Sequence, residues 1–218
     1  MIDAAKTLFL VLTALFPIVD PLGGAPIFLA MTRQYPSITR RQLSWKIAVN
    51  SFFLLVGSYF IGAHILTIFG ISLPVVQVGG GLVVISTGWT LLKQGGGFSQ
   101  KDVIAKPEDA FRSAFYPITF PLTVGPGSIS VAITVGADAP THHRFSVLMI
   151  LAAVIGSALV AASIYLCYGF ADRLGRVLGD TGMLVIMQLS SFLLVCIGVH
   201  ILWNGASTLL AAVPFHAG

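Results

Sequence analysis

Apolar residues run along this chain in long blocks, with the polar and charged positions gathered into short stretches between them. Asp, Glu, Lys and Arg are absent between Lys46 and Lys93, from Phe145 to Ala171, and from Thr181 to Gly218. A helix of about 20 apolar residues crosses the hydrocarbon core of a bilayer. The first gap is roughly twice that length, and Gly70-Ile71-Ser72-Leu73-Pro74 divides it into two spans. The pattern predicts an all-α membrane protein with six transmembrane helices: Ala5–Thr32, Leu43–Phe69, Leu73–Leu92, Phe111–Gly136, Phe145–Phe170 and Gly182–Val213. The first, fourth and sixth exceed a straight crossing, which leaves room for tilt or for a break.

The connections carry the charge. Arg33, Arg40, Arg41, Lys46, Lys93, Lys101, Lys106, Arg112, Arg173 and Arg176 all fall on one side of the predicted spans, leaving Lys6 and Arg144 on the other. Basic loops stay in the cytoplasm, so both termini are expected outside it. The net charge of +4 is thereby explained by topology, and no nucleic-acid partner is expected. Only 9% of the 218 residues are charged, against about 25% in soluble domains. Residues 95–109 open Gly95-Gly96-Gly97 and mix both charge signs, as a flexible linker does. Cys167 and Cys196 fall inside spans and are expected as small core residues rather than a disulfide. The run after Lys6 lacks a small-residue cleavage site and is followed by five more spans, so it is read as a retained first helix.

A repeat organises the spans. Phe16-Pro17-Ile18-Val19-Asp20-Pro21-Leu22-Gly23-Gly24-Ala25-Pro26 and Tyr116-Pro117-Ile118-Thr119-Phe120-Pro121-Leu122-Thr123-Val124-Gly125-Pro126 both read Pro-Ile-x-x-Pro-Leu-x-x-x-Pro without a gap. A fainter echo pairs Gln77-Val78-Gly79-Gly80 with Gln188-Leu189-Ser190-Ser191. Three spans separate each element from its partner, and an odd number reverses the direction of crossing. Residues 1–94 and 110–218 are therefore expected as two inverted three-helix repeats within one membrane domain. Interrupted helices at matching positions of inverted halves point to the binding site of a secondary transporter.

Proline removes a backbone N–H, and its ring clashes with the preceding turn. Pro17, Pro21 and Pro26, and likewise Pro117 and Pro121, are thus expected to break the first and fourth helices. Backbone groups freed in this way are tolerated at membrane depth only against protein or a wet cavity. Beyond each break a half-helix restarts, with Pro26 or Pro126 expected in its first turn. Its opening amides carry a partial positive charge suited to a carboxylate.

Asp20 is the carboxylate that lies well inside a span. Placing it there costs about 2.5–3.5 kcal/mol on insertion scales. Three uses fit that cost: a partner for a substrate ammonium, a proton acceptor, or a ligand for sodium. A cap on the broken helix through its own backbone is the structural alternative. Asn50, Gln77, Gln188 and Asn204 are expected to hydrogen-bond between helices. His64 and His200 are expected near the outer interface. His142 and His143 lack a third ligand, and the metal question stays open. Ala153, Ser157 and Ala161 suggest close helix packing. No phosphate loop, dinucleotide fingerprint, zinc-protease helix or nucleophile grouping is present, and no enzyme activity or cofactor is expected.

With Pro17-Ile18-Val19-Asp20-Pro21-Leu22-Gly23 in the first span and Pro121-Leu122-Thr123-Val124-Gly125-Pro126-Gly127 in the fourth, the chain resembles the MarC family of six-span bacterial inner-membrane proteins. The family is also called the SnatA-like, or small neutral amino acid transporter, family. The likeness includes Phe69-Gly70-Ile71-Ser72-Leu73-Pro74. It implies that the broken helices line a substrate site including Asp20, Gly23, Gly125, Pro126 and Gly127, with Gly24, Thr123 and Ser128 beside them. Members commonly carry Asn where this chain has Gly24, which removes a side-chain amide here. The expected function is alternating-access transport of a small zwitterion, a neutral amino acid such as glycine or alanine, coupled to a proton or sodium. A passive channel and a non-transporting membrane scaffold or stress-response partner are the other readings.

Overall fold

The computed structural model describes residues 2–32, 35–94, 114–137 and 147–212, and the described residues hold no strand. Helices α1 (Ile2–Val19) and α2 (Pro21–Thr32) share the first span, followed by α3 (Ser37–Ile68) and α4 (Leu73–Gln94). A kinked segment, Ala114–Thr123, leads into α5 (Pro126–Ala137) at an angle of 66°. Helices α6 (Val147–Gly169) and α7 (Ala171–Ala211) complete the six spans. The linker at 95–109, the adjacent His142 and His143, and Arg144 lie outside the described residues.

The surface is that of a lipid-facing bundle. Phe9, Phe53, Leu189 and Phe192 are each more than half exposed, which a water-facing surface would not carry in such number. Trp45, Trp89 and Trp203 are also exposed and sit toward helix ends, where the amphipathic indole ring meets the headgroups. Lys93 lies over the Trp89 ring at 5.4 Å.

Two expected connections are helical instead. Helix α3 starts at Ser37, six residues before the predicted span, so Arg40, Arg41 and Lys46 ride on helix. Stretch 172–181 is likewise the opening of α7, which turns into its span at Gly179 through a left-handed φ of 66°. Charge marks where the hydrocarbon ends, and a helix need not stop there. The turn between α3 and α4 is as expected. Gly70, at φ 67°, takes the left-handed position, and the Gly70 and Ile71 amides donate to the Thr67 and Leu66 carbonyls at 3.1 and 3.0 Å. That is a Schellman cap.

Helices α4 and α7 form the most extensive pair. Their backbones approach at Gly81 and Gly198: a Cβ on Gly198 would lie 2.8 Å from the Ile85 nitrogen and 3.0 Å from the Gly81 carbonyl oxygen. Small residues at such crossings let packing replace the hydrophobic drive that lipid does not supply. Around this pair, α1 packs on α6, and α3 on α5 and α6. Further contacts run from α2 to α7 and from α4 to α5. Ala153, Ser157 and Ala161 are buried along α6. Both cysteines are free; Cys167 is half-buried, and Cys196 is exposed rather than in the core.

Candidate functional site

The first break is a single residue. Asp20 adopts φ 44°, and its amide still donates to Phe16 at 3.0 Å. Its Oδ1 accepts from the Gly23 amide at 3.0 Å, and its carbonyl accepts from the Gly24 amide at 2.9 Å. Asp20 is therefore the N-cap of α2, and Pro21 rather than Pro26 takes the first helical position. Pro17 sits within α1 and Pro26 within α2, and neither ends its helix. Each removes one donor, and the surrounding turns carry the helix past it.

The second break is larger. Tyr116 and Phe120, each preceding a proline, are extended at φ/ψ of −119°/126° and −115°/126°, as the proline ring requires of its predecessor. The carbonyls this leaves are covered by threonines two residues after each proline. Thr119 donates to Ala114, and Thr123 donates to Ile118 at 2.7 Å. Pro126 opens α5, as expected, and the Ile129 amide donates to Gly125 at 3.1 Å.

Between the breaks lies a cavity of about 510 Å³. It is bordered by Asp20, Gly23, Gly24, Thr123, Gly125, Pro126, Gly127 and Ser128, together with Pro117 and Pro121. Pro17, Pro21 and Pro26 do not reach it. The sequence pattern did not single out Thr87 of α4 or Met187 of α7, which also line it, and flagged Ser190 and Ser191 only as part of a faint echo. Ser190 lies beside the Asp20 carboxylate, and a Cβ on Gly23 would collide with both. Gln188 is exposed and lines nothing described here.

The two half-helix N-termini differ. The first-turn amides of α2 are taken up by Asp20 itself. Helix α5 has no acidic residue in its first turn, so the Gly127 and Ser128 amides meet no capping carboxylate of their own. One end thus brings a carboxylate to the cavity, and the other has no acidic residue in its first turn.

Tyr168 of α6, missed in the sequence, closes the site from behind. It is 2% exposed and stacks on Phe28 with ring centroids 4.7 Å apart and 13° between planes. Its hydroxyl lies 3.0 Å from Thr123 Oγ1 and against Gly24, where a Cβ would collide with it. Nothing in the sequence distinguishes Tyr168 from other aromatics in its span.

A second cavity, about 370 Å³, lies toward the Gly70–Ser72 turn. It is bordered by α1, α4, α5 and α7, and Ile18 borders both cavities. Among the described residues no group of three or more His, Cys, Asp or Glu side chains comes together as a metal site would need.

A family model described as MarC family integral membrane protein matches residues 5–210. An inner membrane protein MarC of Salmonella typhimurium is 30% identical, with 94% of this chain and 96% of the relative covered. One from Escherichia coli O6:H1 is 31% identical over the same shares. No solved structure matches. With both helix breaks inside the matched range, the chain belongs to the MarC family of integral membrane proteins.

Proposed function

We propose that this protein is a secondary transporter of small zwitterionic solutes, of the neutral amino acid class, in the bacterial inner membrane. The observation that carries the proposal is the cavity between the two breaks, bordered by both a carboxylate and the acid-free first turn of α5. A substrate carboxylate suits the Gly127 and Ser128 amides, and its ammonium suits Asp20 with Ser190. The volume falls within the roughly 300–1,000 Å³ common for small-molecule sites. Breaks packed dry against their neighbours would favour a scaffold. An open cavity between them favours transport.

Inverted repeats supply the alternation. The central cavity sits in the half of the bundle nearer α2 and the start of α3, and the second cavity in the other half. Pro17 borders the second and its counterpart Pro117 the first; Val131 borders the second and its counterpart Met31 the first. The contacts of α2 with α7 mirror those of α5 with α4. Exchanging the conformations of the halves would enlarge one cavity at the other's expense. With the basic connections in the cytoplasm, the central cavity would open to the cytoplasmic side and both termini would lie outside.

The test is uptake of labelled glycine or alanine by proteoliposomes, with proton and sodium gradients collapsed separately to identify the coupling ion. Asp20→Asn retains an oxygen acceptor for Gly23 and removes only the charge, so it should abolish uptake without unfolding the chain. Normal uptake by that variant would remove Asp20 from the mechanism.

A further inference from the structure

The second cavity has a chemistry of its own. Thr13 of α1, Gln77 of α4, Thr134 of α5, and His200 and Asn204 of α7 bring hydroxyls, amides and an imidazole to it. Amides at membrane depth are costly unless satisfied, and five polar side chains from four helices converge here. Thr13 and Thr134 donate to their own helices, at Phe9 and Ser130, 2.8 and 2.9 Å away. Their oxygens keep lone pairs for another donor. Pro17, which also borders the cavity, supplies no N–H to the Thr13 carbonyl. Asn204 Nδ2 and His200 Nε2 lie 3.3 Å apart, which leaves the side-chain Oδ1 of Asn204 as an acceptor.

Among the described residues, no carboxylate, ammonium or guanidinium borders this cavity. A solute with net charge would meet no countercharge there, and that desolvation would be unfavourable. A small net-neutral solute with both donors and acceptors would find partners for each. We infer that the cavity is a second solute site, an outer vestibule in which such a molecule is held before Ile18 admits it to the central cavity. The inference rests on the transport reading for its direction of passage, and on the lining chemistry for the site itself.

Saturation binding of labelled glycine, alanine and serine to the full chain in lipid nanodiscs tests it. The expected result is two solutes per chain at saturation. The count should fall to one in Asp20→Asn, which keeps the vestibule. It should also fall to one in the double variant Gln77→Leu/Asn204→Leu, which keeps the central site. A single site in the unaltered chain, no binding of any of the three probes, or a count unchanged in Gln77→Leu/Asn204→Leu would overturn the vestibule. Failure of the transport reading looks different: no uptake, with the binding sensitive to Gln77 and Asn204 still present.

Discussion

Tyr168 and Thr123 join two discontinuities through one hydrogen bond. Thr123 commits its proton to Ile118, so the phenol donates to Thr123 Oγ1 at 3.0 Å. The same hydroxyl lies against Gly24 in the first turn after the other break. Tyr168→Phe should cost about 1–2 kcal/mol, a buried hydrogen bond with one partner left behind. Thermal unfolding in nanodiscs would read it, and an unshifted midpoint would mean the bond contributes nothing.

Gly24→Ala provides the converse test. Its Cβ would collide with the Tyr168 hydroxyl, while the nearest ring carbons stand at 3.2 Å. Overpacking of this kind costs about 1–3 kcal/mol. In a Tyr168→Phe background the closest atom is gone, so the penalty of Gly24→Ala should shrink. Two additive penalties would deny the contact.

This clamp also marks the limit of what the sequence could tell. The spans were legible because charge is excluded from hydrocarbon over whole helices, and the repeated prolines located both breaks. How each break is built was not legible. Asp20 at φ 44°, and the Thr119 and Thr123 hydroxyls on the Ala114 and Ile118 carbonyls, answer the same lost donors differently. Proline spacing is identical in the two halves, so the difference lies in the residues between, which have no pattern of their own. Tyr168 depends on a contact between helices, and Arg40 on helix extending beyond the membrane. A one-dimensional hydropathy pattern contains neither.

Arg40 is the strongest polar tie described outside the hydrocarbon. Its guanidinium meets both Asp172 oxygens at 2.7 Å and donates to the Tyr35 and Thr32 carbonyls at 2.8 and 3.3 Å. It thereby holds the end of α2 to the start of α7. Exposed ion pairs contribute little, but a bidentate geometry that also caps a helix end contributes more. Arg40→Lys should lose about 1 kcal/mol, because an ammonium cannot span the fork. Exchanging the pair, as Arg40→Asp with Asp172→Arg, should recover only part of the loss of Arg40→Asp, since the two carbonyl contacts stay broken. Full recovery would assign the whole effect to charge.

The α4–α7 contact makes a packing prediction. Gly198→Ala places a Cβ against backbone on both sides, at Ile85 and Gly81. Backbone cannot rotate away as a side chain would, so the helices must separate along their length. A loss of about 1–3 kcal/mol is expected. Gly57, with open space around it, is the control: Gly57→Ala should be neutral or stabilising, as helix propensity alone dictates. Equal effects at the two glycines would mean the close crossing is not what holds the pair.

Asp20 carries two roles that substitution can separate. As a cap it needs one oxygen acceptor and a residue that tolerates φ 44°, and Asn provides both. As a charge in the cavity it needs ionisation, which Asn lacks. Asp20→Asn should therefore unfold within a few tenths of a kcal/mol of the unaltered chain yet show no uptake. Asp20→Ala loses the Gly23 bond, about 1 kcal/mol, and takes on the left-handed strain that a Cβ without a compensating side chain brings, another 1–2 kcal/mol or so. The two variants should agree in transport and differ in stability. If they agree in stability as well, the first break is held by its surroundings, and the hydrogen bond from Gly23 to the carboxylate is incidental to it.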